Sequence, residues 1–154
     1  MNELVVKSPA KINIGLNIIN KRSDGFHDLE TIFCPINLYD VITFSKSDKF
    51  TFNSNDANLN KEKTNLIQKA KESLEKYFDL NLPVNIFLEK HIPIGAGLGG
   101  GSSNAASTLL ALSKLFDLEI DSEALVKLSL SLGSDVPFFL NPILIQFNRT
   151  INNQ

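Results

Sequence analysis

Residues 93–104 read Pro93-Ile-Gly-Ala-Gly-Leu-Gly-Gly-Gly-Ser-Ser-Asn104, and five of the chain's eight glycines, Gly95, Gly97, Gly99, Gly100 and Gly101, fall inside them. Pro93 and Ile94 lead in, Ala96 and Leu98 separate the first glycines, and Ser102 and Ser103 follow the last. An apolar repeat of helical spacing begins directly afterwards with Ala105, Leu109, Leu112 and Phe116. Glycine lets backbone N–H groups approach an anion without a Cβ in the way, and it reaches the positive-φ conformations that turn successive amides toward one point. A helix beginning at the end of such a loop adds its unpaired first amides and the positive end of its dipole. The stretch therefore predicts a phosphate cradle.

Three other readings of the loop fare worse. Gly95, Gly97 and Gly100 satisfy G-x-G-x-x-G, but a dinucleotide fold needs a continuous apolar strand before the loop and a second one after the helix. Here the preceding strand, Val84, Ile86 and Leu88, alternates with Asn85, Phe87 and Glu89, and the helix leads toward another helix. The pattern G-x-x-x-x-G-K-[ST] laid from Gly95 puts Gly101 where lysine belongs, so any cation for the phosphates has to come from elsewhere. A flexible linker is not usually bracketed so tightly by a strand and a helix.

With 154 residues, 43% hydrophobic and 21% charged, the chain suits one well-buried domain. A net charge of −2 supplies no field to draw nucleic acid or an anionic membrane, so neither is an expected partner. The single cysteine, Cys34, excludes an intrachain disulfide and suits a reducing compartment. Lys7 and Lys11 interrupt the apolar N-terminus before a signal sequence develops, and no stretch is long enough to span a bilayer. The expected location is cytoplasmic.

Leu4 to Lys7 reads as a short strand, punctuated by Pro9, and Ala10 to Ile19 as a longer one. Period two sets Ile12, Ile14, Leu16 and Ile18 on one face and Lys11, Asn13, Gly15 and Asn17 on the other. Glycine and asparagine are unfavoured on an ordinary exposed strand face, which makes the Lys11–Asn13 side a candidate site. A turn at Asp24-Gly25 then returns the chain as a strand from His27 to Ile36, with His27, Leu29, Thr31 and Phe33 on one face. Cys34, on the opposite face beside Ile32, reads as a small buried hydrophobe.

Tyr39 to Ser45 and Lys49 to Asn53 read as another antiparallel pair, and Asn53 to Lys63 as an exposed polar loop. Thr64 is the expected cap of a helix to about Phe78, with Leu66, Ile67, Ala70, Leu74 and Phe78 at helical spacing. A later helix, from about Ser122 to Leu132, faces inward with Leu125, Leu128 and Leu132 and stops at Gly133. Asp135 stands between that stop and an apolar strand, where it is either a turn residue or an acid with a task.

Four segments together resemble the GHMP kinases: Ser8-Pro-Ala-Lys-Ile-Asn13, Asp24-Gly-Phe-His27, the run from Pro93 to Ala106, and Gly133-Ser-Asp-Val-Pro-Phe-Phe139. Within that superfamily the first two point to the branch whose substrate is a cytidine diphosphate-linked polyol of isoprenoid synthesis. The resemblance implies an α+β fold, a βαβ arrangement also found in a ribosomal-protein domain, with a mixed sheet and helices packed on it. It implies transfer of the γ-phosphoryl of ATP to a small-molecule hydroxyl, with Mg²⁺ whose ligands are unknown. Asp135 would take the hydroxyl proton, and Lys11 would stand beside it and stabilise developing charge. Asn13, Phe26, His27 and Phe33 would hold the substrate, Phe26 by stacking on cytosine. Pro93 through Ser103 would wrap the triphosphate, and Asn65, Leu66 and Ile67 would line the adenine site.

The resemblance covers residues 1–140 as an N-terminal ATP-binding domain. From Asn141 it stops, so 141–154 are expected to be a non-matching tail and the second GHMP domain to be absent. Two consequences are expected: weak turnover by a cleft that lacks one wall, and self-association through the apolar surface left open. A catalytically impaired nucleotide-binding remnant and another GHMP small-molecule kinase, acting on homoserine or mevalonate derivatives, are the alternatives. An RNA-binding module on the ribosomal-type fold is disfavoured by the charge and the glycine loop.

Overall fold

The computed structural model describes residues 1–25, 27–62, 64–141, 144 and 146–148. Strand β1 (Glu3–Lys21) pairs antiparallel with β2 (His27–Lys46) over nearly its whole length, through the turn in which Gly25 takes φ 88°. The two expected strands on either side of Pro9 are thus one strand, and Tyr39–Ser45 continues β2. Pro9 stays in the ladder because the register shifts beside it, pairing Pro9 with Tyr39 and Ala10 with Ile36.

Strand β3 (Thr51–Ser54) lies parallel to β4 (Val84–Glu89), not antiparallel to β2. The reason is competition for the edge: β4 occupies β2 from Val41 to Lys46, and the intervening chain is long enough for a helical crossover. That crossover holds α1 (Ala57–Lys61), a short helix where a polar loop was expected, and α2 (Leu66–Phe78). Asp56 makes the first possible by accepting from the amides of Asn58 and Leu59. The cap of α2 is Asn65, not Thr64. Asn65 accepts from the Gln68 amide at 3.0 Å while Gln68 Oε1 accepts from the Asn65 amide at 2.9 Å, a reciprocal pair that Ile67, three residues after Thr64, has no side-chain group to return.

Beyond the glycine loop come α3 (Gly100–Leu115) and α4 (Ser122–Leu132), then a 3₁₀ turn (Val136–Leu140) where a strand was expected. Pro137 lacks an N–H and is preset for a first helical turn, which explains the difference. Gly133 ends α4 as expected, in an extended conformation (φ 164°). Strand β5 (Gln146–Asn148), beyond the reach of the resemblance, pairs with Val5 to Lys7 and completes the order β3-β4-β2-β1-β5.

The core lies between the sheet and one helical layer: Leu4, Val6, Ile42, Phe44, Val84, Ile86 and Leu88 meet Ile67, Ala70, Leu74, Leu109 and Leu112, all at most 2% exposed. The far half of the β1–β2 hairpin reaches past the helices. There Ile12, Ile14, Ile18 and Ile32 are exposed and Cys34 is only half-buried, so the expected burial of Cys34 does not hold. Of the polar set, Lys11 is buried against the folded body, and the exposed Asn13 accepts from its ammonium.

This division predicts the response to truncation. Leu109→Ala should cost about 2–5 kcal/mol in urea unfolding, whereas Leu130→Ala, on the exposed side of α4, should stay within about 0.5 kcal/mol. Equal costs would contradict the assignment of the core.

Candidate active site

The local rules that build the core also build a cavity at the N-terminal end of α3. Gly95, Gly97 and Gly99 all take positive φ, 72°, 74° and 71°, as the loop's composition predicts. Gly99 is the N-cap of α3, and no side chain caps the helix or places an acid in its first turn. The first amides of α3 therefore remain available for an anion. Tight packing also accounts for two of the glycines. A Cβ on Gly99 would lie 3.0 Å from the Phe139 ring and 3.1 Å from Lys11 Cγ, and one on Gly100 would lie 2.9 Å from Ile92 Cγ2. At Gly97 nothing stands within 4 Å of that position.

The cavity measures about 560 Å³, within the usual range for small-molecule sites. Residues 93–102 form one wall, and the capped start of α2, with Asn65, Leu66 and Ile67, forms another. Asn65 Nδ2 is buried there without a hydrogen-bond partner. Lys11 and Asp135 close the inner end. Lys11 Nζ lies 3.4 Å from Asp135 Oδ2; the lysine side chain is 7% exposed and the aspartate's 34%. The ammonium also donates to Asn13 Oδ1 and lies 4.6 Å above the Phe33 ring, which meets Phe138 edge-on at 5.1 Å. Chemically, a carboxylate open to the cavity beside a fixed ammonium can accept a proton while charge on a neighbouring oxygen is stabilised.

Most of the sequence-predicted residues thus meet at one place. Ser103 departs from that grouping: it is wholly buried, and its hydroxyl lies 2.8 Å from Ser8 Oγ. Phe26 and the side chain of His27 lie outside the described residues. Sequence reasoning missed Lys90, which lines the cavity with its ammonium 2.7 Å from the buried Asp40 carboxylate. The lack of a lysine within the loop was the signal that pointed to it. Among the described residues no group of three or more histidine, cysteine or acidic side chains could cage a metal. No helix among them is long and apolar enough to cross a membrane.

The two kinds of glycine predict different costs. Gly97→Ala should lose about 1–2 kcal/mol from its positive φ alone, while Gly99→Ala should lose clearly more because Phe139 and Lys11 must also move. Urea denaturation of both variants measures this, and equal losses would refute the close packing at Gly99.

Comparison with known proteins identifies the family and the fold. The 4-diphosphocytidyl-2-C-methyl-D-erythritol kinase of Prochlorococcus marinus (strain MIT 9515) is 50% identical over 144 residues, covering 90% of this chain and 46% of that protein. The protein of the same name from Chlorobaculum parvum is 45% identical over 140 residues, covering 91% of this chain and 49% of its own length. This chain spans about half the length of the curated relatives it matches. A crystal structure of 4-(cytidine 5'-diphospho)-2C-methyl-D-erythritol kinase superposes with TM-score 0.76 at 37% identity, covering 97% of this chain and 53% of that one. Homoserine kinase from Cytophaga hutchinsonii, 19% identical with TM-score 0.60 over 86% of this chain and 41% of that one, shares the fold. The family described as GHMP kinases N terminal domain matches residues 65–141, the segment that supplies the loop, α3 and Asp135, and this chain belongs to that family.

Proposed function

We propose that this chain binds ATP in the glycine-loop cavity and takes part in transferring its terminal phosphoryl group to a hydroxyl of 4-diphosphocytidyl-2-C-methyl-D-erythritol. The carrying observation is that Lys11 and Asp135 meet at 3.4 Å on the wall of the cavity that the glycine loop lines. The substrate follows from the names of the relatives that are 45–50% identical.

In this reading the triphosphate lies along residues 95–102 and accepts the amides at the start of α3, while the base rests against Asn65, Leu66 and Ile67. Asn65 Nδ2, buried and unpartnered, is a donor to spare for it. Asp135 takes the proton from the substrate hydroxyl, whose oxygen bonds to the γ-phosphorus as the bond to the β-phosphate oxygen breaks and ADP leaves. Lys11 stabilises the negative charge that develops between them. Asn13 and Phe33 stand next to Lys11 and would hold the acceptor, with Phe26 and His27 completing its site. Mg²⁺ commonly binds through one or two carboxylates together with phosphates, and Glu62 is the cavity carboxylate left for that role once Asp135 serves as the base. When bound, the ion would neutralise phosphate charge.

A second reading is a nucleotide-binding domain with little turnover of its own, because orienting the acceptor carries much of the rate. Calorimetry with Mg-ATP followed by a phosphoryl-transfer assay separates the two. Saturable binding is expected in either case. For the kinase, Asp135→Asn should lower turnover by about 10²–10⁴-fold with ATP affinity retained. Binding without turnover would support the second reading. A folded chain that binds no ATP would exclude both.

A further inference from the structure

Ser8 and Asp40 face each other across β1 and β2, on one rung of the sheet, and both are completely buried. Their neighbours on the core side, Leu4, Val6, Ile42 and Phe44, are apolar. A hydroxyl and a carboxylate in that setting are costly unless satisfied, and both are satisfied by the glycine loop's two ends. Asp40 Oδ1 accepts from the amides of His91 at 2.7 Å and Ile92 at 2.8 Å, just before the loop, and Oδ2 accepts from Lys90 Nζ at 2.7 Å. Ser8 Oγ donates to Asn104 Oδ1 at 3.0 Å and lies 2.8 Å from Ser103 Oγ, just after the loop in the first turns of α3. Between these anchors, Leu98 O accepts from the Lys11 amide at 2.9 Å.

We propose that Ser8 and Asp40 are the positioning residues of the phosphate cradle: one rung of the sheet holds both ends of the loop and so sets its opening relative to Lys11. The function assigned to the loop rests on the nucleotide reading above; the anchoring does not. Lys11 is three residues beyond Ser8 on the same strand, so the element that carries the ammonium also fixes the far end of the cradle. Asp40 performs two separable tasks. Oδ1 fixes the backbone at 91–92, and Oδ2 holds the Lys90 ammonium at the start of α3, 3.0 Å from where a Cβ on Gly100 would stand. A rung of two apolar residues would fill the same space and tie down neither end. What the polar pair adds is direction.

The test compares the native chain with Ser8→Ala, Asp40→Asn and the double variant Asp40→Asn with Lys90→Met. An asparagine oxygen can still accept from His91 and Ile92, and the double variant leaves no unpaired buried ammonium if the single one fails to fold. Amide hydrogen exchange is followed across the chain without ligand, and Mg-ATP and adenosine affinities are measured by calorimetry. Ser8→Ala should speed exchange between 98 and 104 while α2 and α4 keep their protection. It should weaken Mg-ATP by about tenfold, equivalent to about one of the two hydrogen bonds it removes, and leave adenosine affinity unchanged. Asp40→Asn and the double variant should keep protection at His91 and Ile92 and lose ATP affinity in preference to adenosine.

Unchanged exchange in 91–104 for Ser8→Ala would overturn the proposal. So would a uniform rise over every element, or equal losses for ATP and adenosine, since those are signs of general stability alone. A native chain that binds neither ligand would sink the nucleotide reading, and the anchoring would then stand or fall on the exchange pattern.

Discussion

Helix α3 lies directly on the sheet because its first two turns, Gly100 to Ser107, carry no side chain larger than asparagine, and Gly100 leaves under 3 Å between its would-be Cβ and Ile92. The site depends on that close approach. Eleven of the sixteen residues of α3 are buried, so the helix is wedged between the sheet and the other helices with little room to shift. Its N-terminus therefore points at a fixed place, and the 3₁₀ turn carrying Asp135 at its start packs against the same helix. Lys11 arrives from the other side, on β1. A bulky residue at Gly100 or Ala106 would lift the helix and pull the amides away from the lysine.

The electrostatics of the cavity follow from who is already paired. Lys11 is matched by Asp135 and Lys90 by Asp40, so the two largely buried ammonium groups that line the cavity bring their counter-charges with them. What remains to receive an anion is the exposed Lys69 on the cavity lining and the backbone: the uncapped amides of α3 and those turned by three positive-φ glycines. This is a different solution from a loop that carries its own lysine. Backbone dipoles held by a rigid helix need little rearrangement on binding, whereas a free lysine must be ordered first. The salt bridges around the cavity then act as fixed furniture, keeping side chains out of the space the ligand needs.

Much of this was legible in the residues. The glycine run, the apolar repeat after it and the helix at Ser122–Leu132 follow from local rules, and the structure matches them almost residue for residue. The misreadings have local causes as well. Thr64 and Asn65 are both good caps, and only the partner three residues on, Gln68, decides between them. Strand β3 lost its expected neighbour to β4, a competition that no window of sequence contains. Asp40 shares period-two parity with Ile42 and Phe44, and Ser8 with Leu4 and Val6, so both were visible as polar residues on a core face. Their partners lie about 50 and 95 residues away, at Lys90 to Ile92 and at Ser103 and Asn104, and nothing local announces them.

The hairpin arm shows why faces are harder to assign than strands. Period two separates Lys11 and Asn13 from Ile12 and Ile14 correctly, but it does not say which set faces the protein. Hydrophobicity favours burying the isoleucines. The register shift beside Pro9 breaks the alternation, leaving Ala10 and Lys11 both buried, and beyond it Lys11 meets Asp135 while the isoleucines face outward. Burying an ammonium is tolerable there because Asp135, the Asn13 oxygen and the Phe33 ring surround it. A single irregularity in one ladder thus turns a core-like strand into one that carries the site. Its energetic balance depends on those three polar and aromatic contacts, which is why Lys11, although buried, belongs to the chemistry of the cavity rather than to the packing of the core.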